Sequence, residues 1–242
     1  MRSYRLLITQ GAVITAMCTV FAMGPLFFAG IWGPKLLGVR GEPWMYPDTY
    51  GSYRMVFDHG LAGWWGGWWH QTFRFAFEAP SKKLIDALGI NQKSTMAKAI
   101  QLILAFTLSG MIHASGSHTM IGKTNPLSGP FLFFNLQTLG IMAQIQLSSM
   151  LKKAGVTQKV PKLVRQIVNF VYVHVWFYYT APLLTDDFAK GGLWMIEPIP
   201  ISILRPLGFG IEGDSWWCWG YSWRDWIHWH QGKHWWQSGI AL

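Results

Sequence analysis

Four stretches of this chain, roughly 8–32, 97–115, 130–151 and 163–184, are apolar and long enough to cross about 30 Å of hydrocarbon at about 1.5 Å of helical rise per residue. Hydrocarbon offers a bare backbone no hydrogen bonds, so such segments fold as helices. The pattern predicts an all-α integral membrane protein, a polytopic bundle with at least four spans plus interfacial or re-entrant helices, in a single membrane domain over 1–242. Composition agrees with this reading. Only 13% of residues are charged and 51% are hydrophobic, about half the charge of a soluble domain. The 16 tryptophans are of the type that collects at headgroup level.

The connecting segments refine the outline. The first stretch follows Arg2 and Arg5, but its apolar core is too long for a cleaved signal, so it is expected to stay as an anchor. Residues 61–79 are rich in glycine and aromatics and contain His70 and Arg74, which suits a helix lying at the interface or entering the membrane only where protein shields it. Around 193–211 lie Pro198, Pro200 and Pro206, which predict a broken or re-entrant segment. Beyond it, 212–242 reads as an interfacial tail rich in tryptophan and histidine.

The net charge of +9 is spread among the segments between apolar runs, where it serves topology and attraction to anionic lipid. No separate basic domain is present, so nucleic acid is not an expected partner. Lys35, Arg40, Arg54, Arg74, Lys82, Lys83 and Lys93, with Lys152, Lys153 and Lys159, point to the cytosol by the positive-inside rule. Four spans then put both termini in the lumen, although Arg2 and Arg5 weigh against it. Cys18 and Cys218 suggest neither a disulfide framework nor a metal site.

Polar residues inside the spans carry the functional signal. Gln101, Ala105, Ser109, His113 and Ser117 recur every fourth position, along one helix face. A histidine at that depth is costly, and it reads either as a working group in the bundle interior or as a core residue bonded to a neighbouring helix. Asn135, Gln137 and Gln144 in the third span, and Asn169 and His174 in the fourth, are interhelical bonds or the lining of a polar cavity. His70 and Arg74 are four apart among Trp64, Trp65, Trp68 and Trp69. They form either one functional helix face or an aromatic belt with a snorkelling arginine.

Other groupings are weaker. His228, His230 and His234 spell H-x-H-x-x-x-H, and the last two have metal-ligand spacing on a helix. Their tryptophan neighbours favour an interfacial tail, and no metal is expected. Asp58-His59 extends the site or caps a helix. Asp186-Asp187 lacks the repeat of a diphosphate-binding motif.

Trp69, His70 and Arg74 fit a W-H-x-x-x-R box, and Ser109, Gly110 and His113 fit an S-G-x-x-H helix end one span later. With the aromatic fourth span and its Asn169, these residues resemble the wax synthase-type branch of the membrane-bound O-acyltransferase superfamily, over roughly 1–211. The resemblance implies transfer of an acyl group from acyl-CoA to the hydroxyl of a lipophilic acceptor such as a fatty alcohol, sterol or terpenoid. His113 is then the general base and His70 a second catalytic group. Arg74, Ser109, Asn135 and Asn169 position substrate. Lys82, Lys83, Lys152 and Lys153 are expected to meet the phosphates of coenzyme A, or to serve topology alone. Acyl-CoA is a co-substrate and no further cofactor is implied; the bilayer, expected to be that of the endoplasmic reticulum, is the third partner.

Two departures stand out. Relatives are usually longer, so the chain corresponds to a carboxy-terminal half or a shortened member. Ala114 stands where an acidic residue often follows the histidine. Two alternatives therefore remain: a membrane cyclase or isomerase of isoprenoid-type metabolites, and a catalytically inactive lipid-binding subunit.

Overall fold

A computed structural model describes residues 2–193, 201–202, 205–209, 215–218, 228–233 and 239–241. The chain divides into two compact units, Met1–Gly191 and Gly192–Leu242. The first is helical throughout. Its elements are α1 (Arg2–Pro25), which runs on through a π-helical turn over Leu26–Trp32, α2 (Gly33–Leu37), α3 (Arg54–Gly63), α4 (Arg74–Ala87), α5 (Thr95–His118), α6 (Leu132–Lys153), α7 (Val156–Lys159) and α8 (Lys162–Gly191). Among the described residues, three helices, Ser3–Gly41, Thr95–His118 and Lys162–Gly191, are long and apolar enough to cross a membrane. The stretch expected at 130–151 is helix α6, which is not among those three. Asn135, Gln137, Gln144 and Gln146 interrupt its apolar run.

Helix α3 packs against α8, α4 against α5, and α6 against both α5 and α8. Their shared core contains Leu61, Trp64, Trp68, Phe106, Phe133, Phe134, Ile141, Val173 and Phe177. Trp64 meets Trp68 and Phe177 edge-on, with ring centroids 4.4 and 4.9 Å apart, an arrangement that aromatic quadrupoles favour. Helix α1 behaves differently, burying none of its apolar window within the protein. That surface suits lipid.

The buried amides act as clasps between helices. At Gly60 the backbone of α3 swings to φ 59°, a conformation in which only glycine is unstrained. The break frees the Leu61 amide, which donates to Gln144 Oε1 of α6 at 2.9 Å. Gln144 Nε2 donates in turn to Asn169 Oδ1 of α8 at 3.0 Å, and Asn169 Nδ2 to the Phe57 carbonyl at 2.9 Å. Gln137, fully buried, accepts from the indoles of Trp176 and Trp65 at 3.1 and 3.4 Å. No polar group in this set is left over, as a low-dielectric interior requires.

In the second unit, Ile201 bridges Trp217, and β1 (His228–His230) pairs antiparallel with β2 (Gly239–Ala241). The backbone at His228 and His230 is thus a strand, not the helix that metal spacing needed, while His234 lies outside the described residues. So does most of the expected broken segment at 193–211 and of the tail at 212–242.

Candidate active site

The residues expected to form one interfacial helix over 61–79 fold instead as α3, a π-helical turn over Trp64–Trp68, a break at Trp69 and His70, a 3-10 turn over Gln71–Phe73, and α4. Gly63, Gly66 and Gly67 weaken helical continuity here. The break is held by backbone bonds, Gly51 N to Trp68 O at 2.9 Å and Gln71 N to Thr49 O at 2.8 Å. Arg74 closes the loop from the far side, donating to the Gly66 carbonyl at 2.9 Å and to Gln71 Oε1 at 3.2 Å while pairing with Glu78 at 2.5 Å. His70 and Arg74 therefore belong to one closed loop rather than to one helix face.

Behind this loop lies a cavity of about 370 Å³. His70, Gln71, Arg74 and Glu78 line it together with Lys98, Gln101, Leu102, Ala105, Phe106 and Ser109 of α5 and Phe134, Ile141 and Ile145 of α6. Of the polar stripe of α5, His113 and Ser117 are off the wall, while Gln101, Ala105 and Ser109 line this void. Its apolar walls suit a lipophilic molecule, and a few convergent polar groups supply orientation.

Two imidazoles approach this cavity. His70 is on its wall, flanked by Trp69 and Phe73 at 5.2 and 5.5 Å between ring centroids. Its Nδ1 is buried without a hydrogen-bond partner, and burial, with the positive form of His113 nearby, holds its pKa below the ordinary imidazole value. His113 sits one helical turn beyond Ser109, and its Nδ1 lies 2.8 Å from the Ser109 carbonyl oxygen. A carbonyl cannot donate, so Nδ1 carries the hydrogen and Nε2 the lone pair. The His113 ring lies tilted against Phe134, at 4.2 Å between centroids. Phe134 lines the cavity, while His113 is not itself on the wall.

The remaining expected site residues are placed elsewhere. Asn135 accepts from Thr107 at 3.0 Å and donates to the Phe131 carbonyl at 2.9 Å, tying α6 to α5. Asn169 belongs to the α3–α6–α8 clasp. Lys82 pairs with Glu78 at 2.8 Å, and Lys83, Lys152 and Lys153 are exposed. Asp58 bonds Gln166 at 2.7 Å and lies off the cavity wall. Asp187 is buried, accepting from Ser117 Oγ and the Asn125 amide at 2.5 Å each, and it anchors the loop after α5. Glu78, Lys98 and Phe134 were not singled out from sequence. Only Glu78 carried a signal, its spacing of four from both Arg74 and Lys82.

Residues 46–136 match the model of the membrane bound O-acyl transferase family, a span that takes in His70, Arg74, Ser109 and His113. Over that span the chain is similar to membrane-bound O-acyltransferases. It is similar to acetyltransferase ataH of Aspergillus terreus, 26% identical over 70% of this chain and 55% of that protein. Acetyltransferase eriL of Hericium erinaceus is 25% identical over 74% of this chain and 44% of its own length. The O-mevalon transferase macI of Penicillium terrestre is 26% identical over 54% and 30%. The chain spans about half the length of the first two relatives. No solved structure matches it.

Proposed function

We propose that this chain carries the reaction centre of an acyl-CoA-dependent O-acyltransferase whose acceptor is a lipophilic alcohol. The observation that carries the reading is His70 on the cavity wall together with His113, which the carbonyl of the wall residue Ser109 holds in the tautomer whose Nε2 accepts a proton. In this reading His113 Nε2 takes the proton of the acceptor hydroxyl as its oxygen attacks the thioester carbonyl. The tetrahedral intermediate collapses with cleavage of the C–S bond, the new ester forms, and the imidazolium returns its proton to the departing thiolate. His70 and Ser109 line the space where acceptor and oxyanion sit, and Arg74 keeps the His70 loop closed.

The relatives named acetyltransferases favour a short acyl group. Lys98, on the cavity wall, and Lys82, Lys83, Lys152 and Lys153 are the cations we assign to the coenzyme A phosphates, and the endoplasmic reticulum is the membrane we assign. To test the reading, membranes from expressing cells are incubated with radiolabelled acyl-CoAs and a lipid extract. Labelled ester is expected from wild type and not from His113→Ala. Equal product from both, or turnover of a lipid without any thioester, overturns it.

A further inference from the structure

His113 is off the cavity wall, but two wall residues, Ser109 and Phe134, touch it. Ser109 lines the void and its carbonyl holds the imidazole 2.8 Å away, so His113 is one hydrogen bond from the wall. Phe134 also lines the void, is 4% exposed, and lies tilted against the imidazole at 4.2 Å between ring centroids. Phe133 packs edge-on to Phe134 at 5.0 Å and Trp65 lies 5.9 Å away, so the ring is held by three aromatic neighbours rather than left free. His70, by contrast, is directly on the wall, with its Nδ1 unpartnered. Phe134 is thus shared between the cavity wall and the His113 ring, while His70 is on the wall itself.

We propose that Phe134 is the specificity-determining partition of the site, fixing how long an acyl group is accepted in front of His113. A two-carbon acyl group needs little depth and leaves the ring in its packed position. A longer chain must displace the ring from Trp65, Phe133 and His113, losing those contacts in a closely packed interior. A smaller residue at 134 joins the void to the space beside His113 and removes that penalty. Differences of a methylene in an apolar pocket are worth about 10- to 200-fold in selectivity, so the position is able to set chain length alone.

This inference rests on the acyltransferase reading, so its test has two readouts. Phe134→Ala and, in case that variant folds poorly, Phe134→Leu are compared with wild type for kcat/KM on acetyl-, butyryl- and hexanoyl-CoA. The hexanoyl-to-acetyl ratio is expected to rise at least about tenfold in Phe134→Ala and less in Phe134→Leu. In parallel, carbethoxylation by diethyl pyrocarbonate is followed residue by residue by mass spectrometry. His113 is expected to react several-fold faster in the variants while His70 keeps its wild-type rate. An unchanged ratio in an active variant overturns the partition. If wild type transfers no acyl group from any thioester, the acyltransferase reading has failed, and the labelling alone decides whether Phe134 shields His113: equal rates at His113 then overturn it.

Discussion

Asn169 in α8 and His113 in α5 are both polar residues in membrane-length helices, and their surroundings differ in kind. Both polar ends of the Asn169 amide are bonded, to Gln144 at 3.0 Å and to the Phe57 carbonyl at 2.9 Å. His113 commits Nδ1 alone, to Ser109 at 2.8 Å, and its Nε2 has no hydrogen-bond partner among the described residues. The amide is spent on architecture, and the imidazole keeps a basic nitrogen in reserve. A polar residue in hydrocarbon is expensive either way. What separates glue from chemistry is whether its hydrogen-bonding capacity is used up.

Four measurements sharpen or break that contrast. The largest effect is expected from His70→Ala, which removes the unpartnered imidazole from the cavity wall: kcat per folded molecule falls about 100-fold with normal expression. An effect under threefold puts His70 among the packing residues. Asn169→Ala should do the reverse. It strands Gln144 Nε2 and the Phe57 carbonyl, costing about 1–3 kcal/mol of stability, while turnover per folded molecule stays within a few-fold. Thermal unfolding in detergent and a normalised rate assay decide between these outcomes.

Arg74→Met comes next, removing the bonds to Gly66 and Gln71 that close the His70 loop. A fall of about tenfold in kcat/KM, equivalent to about 1.4 kcal/mol, is expected with little change in melting temperature, because Arg74 is itself exposed. The smallest effect is a pH slope. Burial holds the His70 pKa below its unfolded value of about 6.5, so below that pH the unfolded chain binds a proton that the folded chain refuses. Stability is therefore full above about pH 6.5 and declines as pH falls from there to the depressed value. His70→Gln is expected to flatten this decline in thermal scans, and an identical slope in the variant contradicts the burial.

Much of this contrast was legible in the sequence, for definite reasons. The period of four through Gln101, Ser109 and His113 placed these residues on one face, and that face does line the cavity at Gln101 and Ser109. Helix α5 is regular, so spacing alone was enough. Around His70 the same logic misled, because Gly60, Gly63, Gly66 and Gly67 permit breaks and a π-helical turn that no periodicity announces. The structure replaces a shared helix face for His70 and Arg74 with a loop closed by backbone carbonyls. Asn135 and Asn169 illustrate a further limit: a buried amide reads alike in sequence whether it faces a partner or a void. Phe134 carried no signal, since a phenylalanine in an apolar helix looks like core until its neighbour proves to be an imidazole.

The central claim is that His113 Nε2 accepts the proton of the attacking alcohol, and chemical rescue tests it most directly. Acyl transfer per folded molecule is measured for His113→Ala with and without added imidazole. The account predicts a fall of about 10² to 10⁴-fold, with part of the rate restored in proportion to neutral imidazole. Wild-type turnover by His113→Ala in the absence of imidazole would contradict it.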